Sequence, residues 1–195
     1  AGRYEYGAEA TLNAIPNEGY HFVGWSDGEI SALRTITMLT DTVLTAEFAI
    51  NVYSITLIGE NGSVYGAGDY EHGTMIEISA IPNEGYYFVG WSDGDVSAVR
   101  SITVVEDMNL MAQFVSNLYS VVLGCENGVV LGGGLYEYGA EINLTATPDE
   151  GYDFVKWSDG YLLPNRTIIV VDDIELMAEF ELRRVNISLS GEHGI

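Results

Sequence analysis

Three aspartates recur at matched places, each seven residues ahead of an arginine: Asp27 with Arg34, Asp93 with Arg100 and Asp159 with Arg166. A carboxylate in a short Ser-Asp-Gly loop has the chemistry of a general acid or a metal ligand, but either task needs companions at converging positions. No histidine or cysteine recurs beside the pair. The expected role is therefore structural. The carboxylate caps backbone N–H groups of the turn, and the arginine pairs with it or lies over the preceding tryptophan, Trp25, Trp91 or Trp157.

The other ligating residue types form no set. His21 aligns with Tyr87 and Asp153, His72 with Tyr6 and Tyr138, and His193 with Asn61, whereas a zinc site needs three or four convergent ligands. Calcium is the remaining candidate, because Asp27 with Glu29 and Asp93 with Asp95 place two carboxylates in one short loop. The third copy breaks the pattern with Tyr161, and calcium takes six or more oxygens. No metal, no cofactor and no catalytic residue is expected. Cys125 is the only cysteine, so no internal disulfide can form, and Gly59 stands at its place in the second copy.

The formal net charge is −22, and Lys156 is the only lysine among seven basic residues. Phosphate recognition needs clustered Lys and Arg, so nucleic acid is excluded as a partner. An anionic membrane surface repels such a chain, and no apolar run is long enough to span a bilayer. The segment Ala1-Gly-Arg-Tyr-Glu carries no export-signal pattern, and signals or anchors are expected outside this segment.

The elements that position these residues follow from the repeat. Trp25, Trp91 and Trp157 stand 66 residues apart, as do Phe48, Phe114 and Phe180, and Gly7, Gly73 and Gly139, without insertion or deletion. The expected organisation is repeat 1 at 1–48 without its opening strand, repeat 2 at 49–114, repeat 3 at 115–180, and the first strand of a fourth repeat at 181–195. In the second copy Tyr53, Ile55 and Leu57 alternate with polar residues, the period of a half-buried strand. Glu60-Asn61-Gly62 is a tight turn, matched by Glu126-Asn127-Gly128 and Glu192-His193-Gly194. Further strands are predicted at 76–80, ending near Pro82, and at 86–91, 101–105 and 110–114. A β-bulge near Phe22 and Val23 is needed to bring Tyr20, Phe22, Val23 and Trp25 to apolar surroundings, with positions 21 and 24 facing solvent. No segment has a helical period. The fold class is all-β: a tandem array of small modules with little or no helix.

Most residues kept in all three copies are apolar core or turn residues, so Tyr20, Phe22 and Trp25 are expected in the core rather than on a carbohydrate platform. The third copy departs at Tyr161, Leu162 and Leu163, which with Pro164 replace Glu29-Ile30-Ser31-Ala32. That apolar loop is either a contact between neighbouring modules or an exposed sticky patch.

The string Ile-Pro-Asn-Glu-Gly-Tyr-Tyr-Phe-Val-Gly-Trp-Ser-Asp-Gly at 81–94, followed by Arg100-Ser-Ile-Thr-Val and closed by Leu110-Met-Ala-Gln-Phe114, resembles the divergent internalin-type B-repeat of bacterial surface proteins. The resemblance covers all three copies. It implies a small β-grasp-like module used in series on secreted or cell-surface proteins of bacteria, and it brings no catalytic residues. The function it implies is a stalk or spacer. The alternative is an adhesion module that binds glycan or a host or cell-surface protein through exposed aromatic or apolar residues. Neighbouring repeats and further copies of the chain are the other expected partners. Val185, Ile187 and Leu189 repeat the alternation of Tyr53, Ile55 and Leu57, so this segment either donates a strand to the first repeat of another molecule or packs on the third repeat and frays.

Overall fold

The computed structural model describes residues 2–190 and 192; His193 and Gly194 of the last predicted turn lie outside them. Every regular element among the described residues is a strand. The first repeat contributes β1 (Glu9–Asn13), β2 (Tyr20–Trp25), β3 (Leu33–Thr37) and β4 (Ala46–Ile50). The second contributes β5 (Val52–Gly59), β6 (Gly62–Tyr65), β7 (Gly68–Glu71), β8 (Met75–Pro82), β9 (Tyr86–Trp91), β10 (Val99–Thr103) and β11 (Met108–Ser116). The third repeats this set as β12 (Leu118–Cys125), β13 (Gly128–Leu131), β14 (Gly134–Glu137), β15 (Glu141–Pro148), β16 (Tyr152–Trp157), β17 (Asn165–Ile169) and β18 (Ile174–Leu182). The chain forms two compact units, Ala1–Pro82 with Phe88–Phe114, and Asn83–Tyr87 with Val115–Ile195.

A complete repeat has two sheets. In the second these are four strands in the order β7-β5-β11-β9 and three in the order β10-β8-β6. The opening strand β5 lies inside its sheet, parallel to β11 with Ile55 beside Met108 and Leu57 beside Leu110. It is antiparallel to β7 on its other side. The third repeat has the same two orders, β14-β12-β18-β16 and β13-β15-β17. In the first repeat the described strands form two-stranded sheets only, β1-β3 and β2-β4.

The cores follow from the period of two, which sends alternate residues of each strand to the face between the sheets. In the second repeat Ile78, Ala80, Trp91, Leu110 and Ala112 form the buried cluster. In the third it is Val121, Ile142, Leu144, Ala146, Trp157, Val170, Leu176 and Ala178. An edge-to-face chain of rings flanks each core, with Phe88 at 5.8 Å from both Trp91 and Phe114. Phe154 lies 6.1 Å from Trp157 and 5.8 Å from Phe180.

The strand register slips between Phe22 and Gly24 and between Phe154 and Lys156, which is the β-bulge that the alternation demands. Its effect on exposure differs from the expectation. Val23 and Val89 are exposed and Gly90 is buried, because the bulged valine has no cross-strand partner and turns outward. Two four-residue strands, β6 and β7, lie where only a turn was read. Asn61 and Asn127 adopt φ of 64° and 61°, as the tight turns before β6 and β13 require.

Candidate functional site

The recurrent aspartates and arginines meet in every copy. Arg34 donates to both carboxylate oxygens of Asp27 at 2.7 and 2.8 Å. Arg100 and Arg166 donate to Asp93 and Asp159 at 2.5 Å each. Each carboxylate also accepts the N–H two residues on, from Glu29, Asp95 and Tyr161 respectively. The indole Nε1 of Trp25, Trp91 and Trp157 donates to the carbonyl six residues ahead, closing the same loop from the core side. Arg100 additionally pairs with Asp95 at 3.1 Å and lies over Trp91, 5.7 Å from the ring centroid. These donors and acceptors satisfy one another around a turn, which fixes the loop. Among the described residues no group of three or more His, Cys, Asp or Glu could hold a metal ion.

The hydrogen bond from Arg34 holds Asp27 below its usual range, and that from Arg100 does the same for Asp93. Burial pulls Asp159 upward, but Arg166 and the Tyr161 N–H outweigh it. A carboxylate depressed in the folded state stabilises the fold above its unfolded pKa and loses that contribution as pH falls through the folded value. Thermal melts should therefore lose midpoint as pH drops below the model aspartate value of 3.8. Asp93→Asn should lower the neutral-pH midpoint and flatten this acid dependence. An unchanged acid slope in the variant would show that the loops do not respond through this carboxylate.

A second recurrent constellation lies at the joints between repeats, and each joint falls inside one compact unit. In the first unit the N–H of Asn51 donates to Gly19 O at 2.7 Å, and its carbonyl accepts from His72 N–H at 2.8 Å. Its side chain reaches His21 Nδ1 at 2.8 Å and the Tyr53 hydroxyl at 3.3 Å. In the second unit Asn117 N–H donates to Gly85 O at 2.7 Å and Asn117 O accepts from Tyr138 N–H at 3.0 Å. The ring of the following repeat lies against the glycine in both joints. A Cβ on Gly19 would stand 2.1 Å from the His72 ring, and one on Gly85 would stand 2.0 Å from the Tyr138 ring. Both glycines have φ of 79°. Burial and the nearby Glu84 carboxylate push Tyr138 above the usual tyrosine range. Sequence reading assigned these glycines to turns alone; the signal that went unread is the ring, Tyr6, His72 or Tyr138, that keeps the same period.

At the third position Arg183 N–H donates to Gly151 O at 2.7 Å. Its guanidinium holds Asp153 Oδ1 at 2.9 and 2.7 Å. Gly151 has φ of 87°, and a Cβ there would meet nothing within 4 Å. Tyr161 lies beneath Arg166, 4.5 Å from guanidinium carbon to ring centroid, while Leu162 and Leu163 are exposed. Val185, Ile187 and Leu189 lie outside any strand and are 85%, 87% and 74% exposed. The joints bring together residues 19, 51 and 72, and 85, 117 and 138, none of which was singled out as a site residue from sequence.

Comparison with known proteins gives the same partition. The family described as "Divergent InlB B-repeat domain" matches residues 1–52, 53–118 and 120–184. These bounds place the repeat junctions about Asn51 and Asn117, a few residues beyond the ends of the 66-residue periods counted from the sequence. A protein of Evansella cellulosilytica, provisionally described as a Gly-rich membrane protein, is 31% identical over 170 residues, covering 82% of this chain and 20% of that protein. A second protein of the same organism, provisionally described as a membrane protein, is 27% identical over 188 residues, covering 89% of this chain and 28% of that protein. The chain thus spans less than a third of either curated relative. Among solved structures, the Bacillus anthracis TIE protein aligns with a TM-score of 0.40 at 10% identity, over 89% of this chain and 51% of that one. With family matches running through all three repeats, this chain belongs to the divergent InlB B-repeat domain family.

Proposed function

We propose that the chain is a structural spacer segment of a larger bacterial cell-surface or secreted protein, with no catalytic role of its own. The observation that carries this reading is the joint. The same backbone exchange, from residues 51, 117 and 183 to glycines 19, 85 and 151, leads out of every repeat. A repeat tied to its neighbour by fixed hydrogen bonds and a packed ring transmits position along an array, which is what a spacer requires. The polar residues kept in all copies are used up in holding their own loops. A net charge of −22 keeps neighbouring arrays apart. Small-angle scattering of the chain at low concentration should give a maximum dimension of about 80–100 Å, the length of three linked modules of this size. A radius of gyration of about 16 Å, the value for one compact globule of this length, would refute the spacer reading.

A second reading, adhesion to glycan or protein, is favoured by one specific observation. Ile30, Val96 and Leu162 occupy one matched position, on the loop that the Asp–Arg pair and the indole hold rigid, and all three are exposed. An aliphatic side chain held out of the core once per repeat is a suitable contact point for a multivalent partner. Screening the chain against a glycan array and extracellular protein panels, beside the Leu162→Ser variant, tests it. Binding that the variant loses supports adhesion, and no binding above background removes this reading.

A further inference from the structure

The two complete repeats show what the opening strand of a module does, and the first repeat shows the same place without one. Ile55 of β5 and Val121 of β12 are buried to 2% and 3% exposure between the sheets. Their strands run parallel to β11 and β18, and the following aspartates hold them: Asp107 accepts Ser54 N–H at 2.8 Å and Asp173 accepts Ser120 N–H at 2.7 Å. In the first repeat no described segment fills this place. Residues 42–45, which match the start of β11, are not in a strand, and Val43 is exposed. Leu12, Trp25 and Leu44 are only half-buried, whereas their counterparts Ile78, Trp91 and Leu110 are fully buried. An apolar cavity of about 260 Å³ opens among Ala10, Leu12, Trp25, Ile36, Met38 and Leu44.

The matching piece is also on the molecule. Val185, Ile187 and Leu189 occupy the repeat positions of Tyr53, Ile55 and Leu57, and Arg183 already makes the Gly151 contact that leads the chain into β5 and β12 elsewhere. Tyr6, the counterpart of His72 and Tyr138, is 84% exposed, and the face of Gly151 is open. In both built joints a repeat receives its opening strand from the repeat before it in the chain, so a third repeat feeding a first repeat specifies a head-to-tail contact between molecules.

We propose that residues 185–189 of one copy fill the first repeat of a second copy as a strand parallel to 42–46. Ile187 lies beside Thr42 and Leu189 beside Leu44, the register of Ile55 with Met108 and Leu57 with Leu110. Asp41 receives the N–H of Asn186, as Asp107 receives that of Ser54. The acceptor's Tyr6 closes over the donor's Gly151. The contact buries alternate aliphatic side chains and completes a sheet edge, the two contributions of β-strand addition. It forms between two acidic molecules, so association strengthens with added salt. The inference does not depend on whether the array is a spacer or an adhesin.

Sedimentation velocity on the 195-residue chain, from about 10 μM to about 1 mM, reads this directly. The average mass should rise with concentration, and more steeply at high salt. Ile187→Asp should weaken association by at least about tenfold, the factor that one buried aliphatic side chain represents. Its circular dichroism should be unchanged, because Ile187 is exposed in the single molecule. A covalent readout comes from Thr42→Cys with Ile187→Cys in a Cys125→Ser background. Neighbouring strands are about 4.8 Å apart, within disulfide reach, so mild oxidation should give a ladder of dimers and longer chains. A single-copy mass throughout, association indifferent to Ile187→Asp, or a cross-link confined to a closed monomer would each overturn the proposal.

Discussion

Trp157→Ala is expected to destabilise the third repeat by about 3–5 kcal/mol, the cost of emptying a fully buried aromatic site. Trp157 has 0% exposure and touches the core from β16. Its Nε1 also donates to Leu163 O at 3.1 Å, so the substitution frees the Tyr161–Pro164 loop as well. Trp25→Ala should cost visibly less, because Trp25 is only half-buried beside the open cavity of the first repeat. Cys125 provides a local probe, since its half-buried thiol packs against the third core and no other cysteine is present. Its labelling rate under native conditions should rise by at least about a hundredfold in Trp157→Ala, as opening of that repeat becomes easier by several kcal/mol. It should stay near wild type in Trp25→Ala. A slow thiol in Trp157→Ala would mean that the third repeat does not open as one cooperative body.

The all-β modules were legible because period and pattern act locally. The alternation of Tyr53, Ile55 and Leu57 and that of Leu110, Ala112 and Phe114 each specify a strand face without reference to anything distant. The bulge was legible for the same reason, since Phe22 and Trp25 cannot share one face of a regular strand. What it does to Val23 was not, because a bulged residue's direction depends on the strand opposite, β4, more than twenty residues away in the chain. β6 and β7 were missed because each has only four residues and begins with a glycine, so alternation has no length in which to declare itself. Their strand character comes from pairing with β8 and β5.

The joints were hidden by a different ambiguity. A glycine that recurs at 19, 85 and 151 has two physical explanations, a left-handed turn or a close approach, and the turn Asn-Glu-Gly or Asp-Glu-Gly satisfies the first alone. The second requires knowing that a ring 53 residues later comes to rest on it. That ring changes type from His72 to Tyr138, so the recurrence reads as three scattered aromatics. The asparagine at the hinge becomes Arg183 in the third copy. There its new partner Asp153 stands where His21 stood, so the polar pair is kept while both residue types change.

This separation of turn strain from close approach can be measured with two alanines in the same kind of turn. Gly85 and Gly151 have φ of 79° and 87°, so an alanine at either suffers the backbone penalty of the left-handed region, about 1–2 kcal/mol. Only at Gly85 would the new Cβ meet a ring, 2.0 Å from Tyr138 Cγ, whereas at Gly151 it meets nothing within 4 Å. Displacing the ring adds the cost of overpacking, about 1–3 kcal/mol. The joint should therefore come apart in Gly85→Ala and survive in Gly151→Ala. Hydrogen exchange at the N–H groups of Asn117 and Tyr138, which donate to Gly85 O and Asn117 O, locates the effect. In dilute solution Gly85→Ala should lower their protection by roughly ten- to a hundredfold relative to Gly151→Ala, the range that an extra 1–3 kcal/mol sets. The Trp91 and Trp157 cores should keep their protection in both variants, since neither glycine belongs to them. Equal loss of protection in the two variants would mean that the glycine serves the turn alone, and that the ring of the next repeat is not what fixes one module to another.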